Sequence, residues 1–195
     1  MRLKEGNKKD AILRAAVKSF AKHGYHNAKV AKIAEAAGVA TGSVYVYFED
    51  KEDLLVNIFD ELWKTLYMEF EKLNADKRQG ASRKIEAMLD IVLDHFISDA
   101  DLAKVYVNEQ NYLQYGKPEK FTEYYDKFWK LGEKIFREGK RKGNISQEVD
   151  VKVVRYFIIG AIRNLLNQWA NDPKSFSLNK IKKNVKVGLK QGFLK

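Results

Sequence analysis

Apolar side chains return every three or four residues along most of this chain, and no proline interrupts that spacing before Pro118. Such a period lays one stripe along a helix, whereas a half-buried strand needs strict alternation, and no alternating run of any length is visible. The only other proline is Pro173. There is no sequence repeat. The spacing therefore predicts an all-α chain of about nine helices arranged in two parts.

With 195 residues there is enough chain for one ordinary core, or for a small module fused to a larger one. The absence of cysteine excludes disulfides, thiolate zinc sites and cysteine nucleophiles, and it fits a reducing compartment. No run of about 18 apolar residues occurs, so no membrane span is expected. Charges scattered through the first twenty residues argue against a signal peptide, and the expected location is cytoplasmic. The net charge of +10 and the pI of about 9.5 favour polyanionic partners, nucleic acid before a membrane surface. A chain using lysine for solubility is the plainer alternative, because 32% of the residues are charged and the signs are mixed.

Residues 8–22 place Ile12, Leu13, Ala16, Val17 and Phe20 on one helical face. Asn7 is the expected cap, Asp10 suits the positive end of the dipole, and His23-Gly24 ends the helix. A second helix carries Val30, Ile33, Ala34 and Ala37 and stops at Gly38. A third, short helix follows over residues 40–47. Its Val44, with Phe48 and Val39, can reach a core. Two short helices across a glycine turn form a helix-turn-helix, whose second helix enters the DNA major groove by its N-terminal end. Thr41, Gly42 and Ser43 stand at that end. Tyr45 and Tyr47 add flat surfaces with hydroxyls that suit sugars, thymine methyls and phosphates. Asp50 caps a fourth helix with Asp53 three residues on, and the amides there and Lys51 would suit a phosphate. Residues 1–51 hold ten Lys/Arg against five Asp/Glu, so half of the net positive charge sits in about a quarter of the chain.

The stretch IAEAAGVATGSVYVYFEDKEDLL resembles the DNA-binding domain of the TetR/AcrR family of transcriptional regulators, over roughly residues 8–55. The shared elements are Gly-Val, a small residue, Gly42, a hydroxyl residue, an aliphatic, Tyr45-x-Tyr47-Phe48, and Lys51 before an acidic, leucine-containing helix. The resemblance implies a helix-turn-helix domain over residues 1–50 and a ligand-binding and dimerisation domain over 51–195. It places Thr41, Gly42, Ser43, Tyr45 and Tyr47 at double-stranded operator DNA and Lys51 at a phosphate; Lys29 joins them as a candidate. Three positions depart from the pattern. Ala28 and Ala40 stand where the family has Thr and Ser caps, with Asn27 and Thr41 as neighbouring substitutes, and Val46 replaces a polar residue that faces DNA.

Beyond the head, the spacing predicts helices over 51–73, from Ser82, from 99–101 to Tyr115, over 119–142 with Phe121 on its apolar face, over 150–171 with Asp150 as cap, and from Ser175 or Ser177 onward. Residues 75–83 read as a polar linker. Trp63, Leu66, Met88, Val92, Phe96, Tyr106, Tyr112, Tyr125, Phe128 and Trp129 are the candidate lining of an effector cavity, of the kind that the resemblance places among the middle helices. Equally, these side chains can fill a core. The 150–171 helix is apolar on more than one face. Phe157, Ile158, Ala161, Ile162 and Leu165 are the candidate homodimer interface, matching a palindromic operator, with an ordinary buried helix as the alternative. Asn111-Tyr112, Gly143-Asn144-Ile145 and WANDPKSFSL make the C-terminal part similar to the fatty-acid-degradation repressors of this family, which respond to long-chain acyl-CoA. Lysines, Arg137, Arg141 or Arg163 are the candidate cations for such a ligand's phosphates.

His23, His26 and His95 show no metal spacing, and no nucleophile motif is present. No catalytic residue, metal or cofactor is expected, and the chain does not read as an enzyme. The sequence thus points to a repressor that binds an operator as a dimer and is released by a hydrophobic small molecule. A non-specific nucleoid-type or membrane-surface basic helical protein is the alternative, suggested by the seven lysines from Lys174 to Lys195.

Overall fold

A computed structural model describes residues 5–120, 123–172, 174 and 177–192, with side chains from Lys8 onward. Among the described residues the helices are α1 (Glu5–His23), α2 (Val30–Ala37), α3 (Thr41–Tyr47), α4 (Lys51–Ala75), α5 (Ala81–Ser98), α6 (Ala100–Gly116), α7 (Glu123–Arg141), α8 (Val151–Asn171) and α9 (Leu178–Gly192), with a 3-10 turn over Pro118–Lys120. The all-α architecture read from the spacing holds. Phe121, Pro173 and Ser175 lie outside the described residues.

Several helix ends differ from expectation. α1 starts at Glu5, so Asn7 is inside it and does not cap it. α2 and α3 begin after Lys29 and Ala40, and neither has a side-chain cap. Asn27, a possible substitute cap, instead donates from Nδ2 to the His23 carbonyl at 3.2 Å and closes the end of α1. Gly80, not Ser82, precedes α5. The helix expected over 119–142 is divided: Pro118–Lys120 form their own turn and α7 starts at Glu123.

Two caps are as the residues suggest. Asp50 Oδ1 accepts the Asp53 N–H at 2.8 Å, and Asp53 Oδ2 accepts the Glu49 N–H at 3.0 Å. Asp150 accepts the N–H groups of Lys152 and Val153 at 2.8 and 3.0 Å.

The chain divides into two compact units. The first comprises residues 1–62 and 101–122, and the second residues 63–100 and 123–195, so the chain passes between them inside α4, at the start of α6 and again ahead of α7. In the first unit Ile12, Ala16 and Phe20 of α1 are buried, with Ile33 and Ala34 of α2 and Val44 of α3. Gly38 closes α2 at φ 70°. Its N–H reaches the Glu35 carbonyl at 3.1 Å and that of Val39 reaches Ala34 at 3.0 Å, the paired bonds of a left-handed helix stop. That stop turns the chain tightly into α3.

In the second unit Ile85, Ile135, Phe136, Ile145 and Val154 form one buried cluster, with Met88, Val149, Val151 and Ile158 packed on it. The Lys84 side chain is buried with them, its Nζ donating to the Asn74 carbonyl at 2.7 Å, and burial lowers its pKa. α9 registers on α5 through ion pairs: Lys182 with Asp90 and Asp94, Lys186 with Asp90, and Lys190 with Glu86. Three of the seven C-terminal lysines that suggested a lipid surface are therefore committed within the protein.

Gly139 is the most closely approached glycine in this unit. A Cβ there would stand 2.7 Å from Ile145 Cδ1 and 2.9 Å from Ala81 Cβ. Gly139→Val is expected to lower unfolding stability by roughly 1–3 kcal/mol, read as the urea midpoint; an unchanged midpoint would mean that α7 is not held this closely.

Candidate nucleic-acid interface and effector region

α3 has only seven residues, too few to hold a helix alone. Its hold is hydrophobic. Val44 and Phe48 are 1% and 2% exposed, and burying each contributes about 1.5–3 kcal/mol. Thr41, Gly42, Tyr45 and Val46 are thereby turned outward. Thr41 and Gly42 are exposed, and Ser43 and Tyr47 are half-buried. Tyr45 is 55% exposed and Val46 78%. Nothing lies within 4 Å of where a Gly42 Cβ would be. This face offers hydroxyls, an open backbone and one apolar contact, which suits phosphates, sugars and thymine methyls. Lys29 is exposed one residue ahead of α2.

Lys51 is placed differently from a free surface lysine. Its Nζ donates to the carbonyls of His26 and Ala28 at 2.9 and 3.2 Å and lies 4.7 Å from the Tyr25 ring centroid. Periodicity did not single out Tyr25, because it lies between helices. It is nonetheless 7% exposed and central to the first unit. Its ring meets those of Phe20, His26 and Tyr112 at 5.5, 5.2 and 5.4 Å. Burial, with Tyr112, Glu52 and Asp50 nearby, pushes its hydroxyl far above the ordinary tyrosine range, so it stays protonated.

α6 supplies the other half of this junction. Glu109 Oε1 accepts the Tyr25 N–H at 3.1 Å, and Tyr112 donates its hydroxyl to Glu52 Oε2 at 2.8 Å. Lys120 also pairs with Glu52, with Lys117 further off at 4.0 Å. Lys120 first, then Tyr112, holds the Glu52 carboxyl below its ordinary value. Glu52 and Glu109 carried no sequence signal, since a carboxylate on a helix looks the same whether solvated or paired.

The proposed effector lining is distributed over both units. Trp63, Leu66, Phe96, Tyr125 and Phe128 are buried in the second, with Met88, Val92 and Trp129 half-buried. Trp63 meets Tyr125 at 4.9 Å and Phe128 at 5.2 Å, and Phe70 meets Phe128 at 4.4 Å. Arg155 stacks 4.9 Å over Trp129 and pairs with Glu133. Tyr106 and Tyr112 belong to the first unit. An open groove of about 370 Å³ is lined by Leu66, Glu69, Ala87, Asp90, Ile91, Asp94 and His95. Burial lowers the His95 pKa. A second groove, of about 440 Å³, runs along α7 past Lys130, Glu133, Lys134, Arg137, Glu138 and Arg141. Among the described residues no group of His, Asp or Glu could hold a metal ion, and no helix is long and apolar enough to cross a membrane.

On α8 the structure separates two faces. Val154, Ile162 and Leu166 are buried in the second unit. Ile162, expected on the dimer surface, is buried within the protomer, and Ile158 packs on the cluster that contains Val154. Ala161 and Leu165 are half-buried. The outward face carries Val153, Tyr156 and Phe157, at 66%, 67% and 62% exposed, with Gly160 beside them.

A trihelical head with an outward third helix, continued by an aromatic-cored helical body, defines a ligand-responsive helix-turn-helix transcription regulator. The chain belongs to the tetR family of bacterial regulatory proteins, which it matches over residues 12–58. Residues 59–192 match the C-terminal region of YsiA-like proteins. It is 31% identical over 170 residues to the fatty acid metabolism regulator protein of Bacillus subtilis, covering 86% of each chain. It also resembles the structure of the fatty acid degradation regulator FadR from Bacillus halodurans, with a TM-score of 0.82, 32% identity and 96% of both chains covered. FadR from Bacillus subtilis in complex with stearoyl-CoA is similar at a TM-score of 0.82, with 28% identity, 92% of this chain and 96% of that one covered. These relatives are regulators and not enzymes.

The Glu52 junction has a pH signature. Because its folded pKa is depressed, its contribution is present above the ordinary carboxylate range and is lost as pH falls through the folded value. The stability gap between the native protein and Glu52→Gln should be widest near neutrality and close below about pH 4. Urea unfolding across pH 3–7 measures it, and a gap independent of pH would show that Glu52 is not carrying the junction as a carboxylate.

Proposed function

We propose that this chain is a homodimeric repressor of fatty-acid-metabolism genes that leaves its operator when a long-chain acyl-CoA binds. The observation that carries the effector is the likeness, at 28% identity over 92% of the chain, to FadR in complex with stearoyl-CoA. The ring-rich interior of the second unit supports an apolar acyl tail, and Arg137 and Arg141, with Lys130 and Lys134 on the α7 groove, supply cations for coenzyme phosphates. Thr41, Gly42, Ser43, Tyr45 and Tyr47, with Lys29, form the DNA-contacting set, and Lys51 belongs to the same reading head. The location is cytoplasmic, and residues 51–195 serve ligand binding and pairing. The basic surface attracts DNA generally, while the exposed α3 face reads a palindrome.

Fluorescence anisotropy with a palindromic operator tests this. Stearoyl- or palmitoyl-CoA is expected to release the duplex, whereas free coenzyme A at the same concentration is not. Release by both, or by neither, overturns the acyl-CoA assignment. Tyr45→Ala should weaken operator affinity by roughly 1–3 kcal/mol while binding to random duplex changes little; equal losses on both duplexes would remove Tyr45 from base reading.

The α8 stripe of Val153, Tyr156 and Phe157 supports pairing, because a contiguous exposed apolar face on a helix marks an interaction surface. Phe157→Asp is expected to leave the protomer folded and to convert the dimer to a 22.6 kDa monomer in sedimentation. A dimer that persists unchanged would place the interface elsewhere.

A further inference from the structure

The corner between α1 and α2 has no side-chain cap to fix where α2 begins. It is held instead from two other helices. From α4, the Lys51 ammonium spends two of its three N–H donors on the carbonyls of His26 and Ala28, just ahead of α2. Its charge faces the Tyr25 ring at 4.7 Å, within cation–π range. From α6, Glu109 holds the Tyr25 N–H, and the Tyr112 ring lies 5.4 Å from Tyr25 and 5.9 Å from His26. The corner sets the start of α2, and the tight stop at Gly38 passes that placement on to α3.

We infer that Lys51 serves DNA binding as a positioning residue that clamps the α1–α2 corner, with Tyr25 as its ring wall and Tyr112 backing that ring, and not as a phosphate contact in its own right. The resemblance alone puts a lysine here on phosphate; the bonds to His26 and Ala28 direct it inward. The inference rests on the DNA-reading function proposed above.

The two roles separate by salt dependence. A lost phosphate contact reduces the slope of log affinity against log salt by about 0.9, hence by about twice that in a dimer altered in both heads. Operator affinity is measured from 50 to 300 mM salt for the native protein, Lys51→Met, Tyr25→Leu and Tyr112→Ala, with amide hydrogen exchange followed over residues 24–30. The clamp predicts an affinity loss on the order of tenfold for Lys51→Met, a slope change well short of one contact per head, and faster exchange at the corner. Tyr112→Ala, which removes no charge and lies outside the reading helix, is expected to speed the same amides and to weaken binding at an unchanged slope.

A slope reduced by a full contact per head with corner exchange unchanged would overturn the clamp and return Lys51 to phosphate. So would a Tyr112→Ala protein with native corner exchange and native affinity. Should Lys51→Met lose protection throughout α1–α3, the Tyr25→Leu and Tyr112→Ala proteins decide the question by the same two readouts. If the native protein binds no palindrome, the DNA-reading proposal fails, while the exchange measurements still judge the clamp.

Discussion

A seven-residue helix cannot keep its shape in water, and the reading head depends on what holds α3 in place. Nucleating a helix costs more than its first hydrogen bonds return. Val44 and Phe48 meet that cost by burial, and the left-handed stop at Gly38 fixes the direction in which α3 leaves α2. Because two buried side chains suffice, Thr41, Gly42, Tyr45 and Val46 are left without a packing duty. An exposed valine and a half-exposed tyrosine are poor choices for a surface that meets only water. They are reasonable on one that meets base edges and sugars, where apolar contact and hydroxyls both count.

The head is not complete at the end of α3. The first compact unit also takes in residues 101–122, although α6 lies within the stretch shared with the C-terminal region of YsiA-like proteins. The junction is polar and aromatic: Glu52 gathers Tyr112 and Lys120, and Tyr25 is enclosed by rings and by Lys51. Partly buried polar networks of this kind specify a geometry more than they add net stability, since their inner members lose water to join. A junction of this sort fixes how α6 meets the corner of the head.

How much was legible beforehand varied with the kind of signal. The helices, the outward face of α3 and the caps at Asp50 and Asp150 followed from spacing and local residue chemistry, because each involves neighbours within a turn. Ile162 shows the limit. On a helix apolar on several sides, period alone does not tell the face that meets the protomer's own core from the face left outside. Tyr112 shows another: its aromatic character suggested an effector lining, yet its partners are Glu52, 60 residues earlier, and Tyr25. The C-terminal lysines looked like a free basic surface until Asp90, Asp94 and Glu86 of α5 took three of those seven side chains.

Sequence by itself determined the all-helical class, the helix-turn-helix and the identity of the outward residues on α3. Those depend on interactions between residues a few positions apart, which a linear string records directly. Only the tertiary structure decided which charges are spent inside the protein and which side of α8 is left open. It also decided that Lys51 points at backbone carbonyls. Such outcomes depend on partners distant in sequence, and a lysine, a tyrosine or an isoleucine reads the same in the chain whichever partner the fold brings to it.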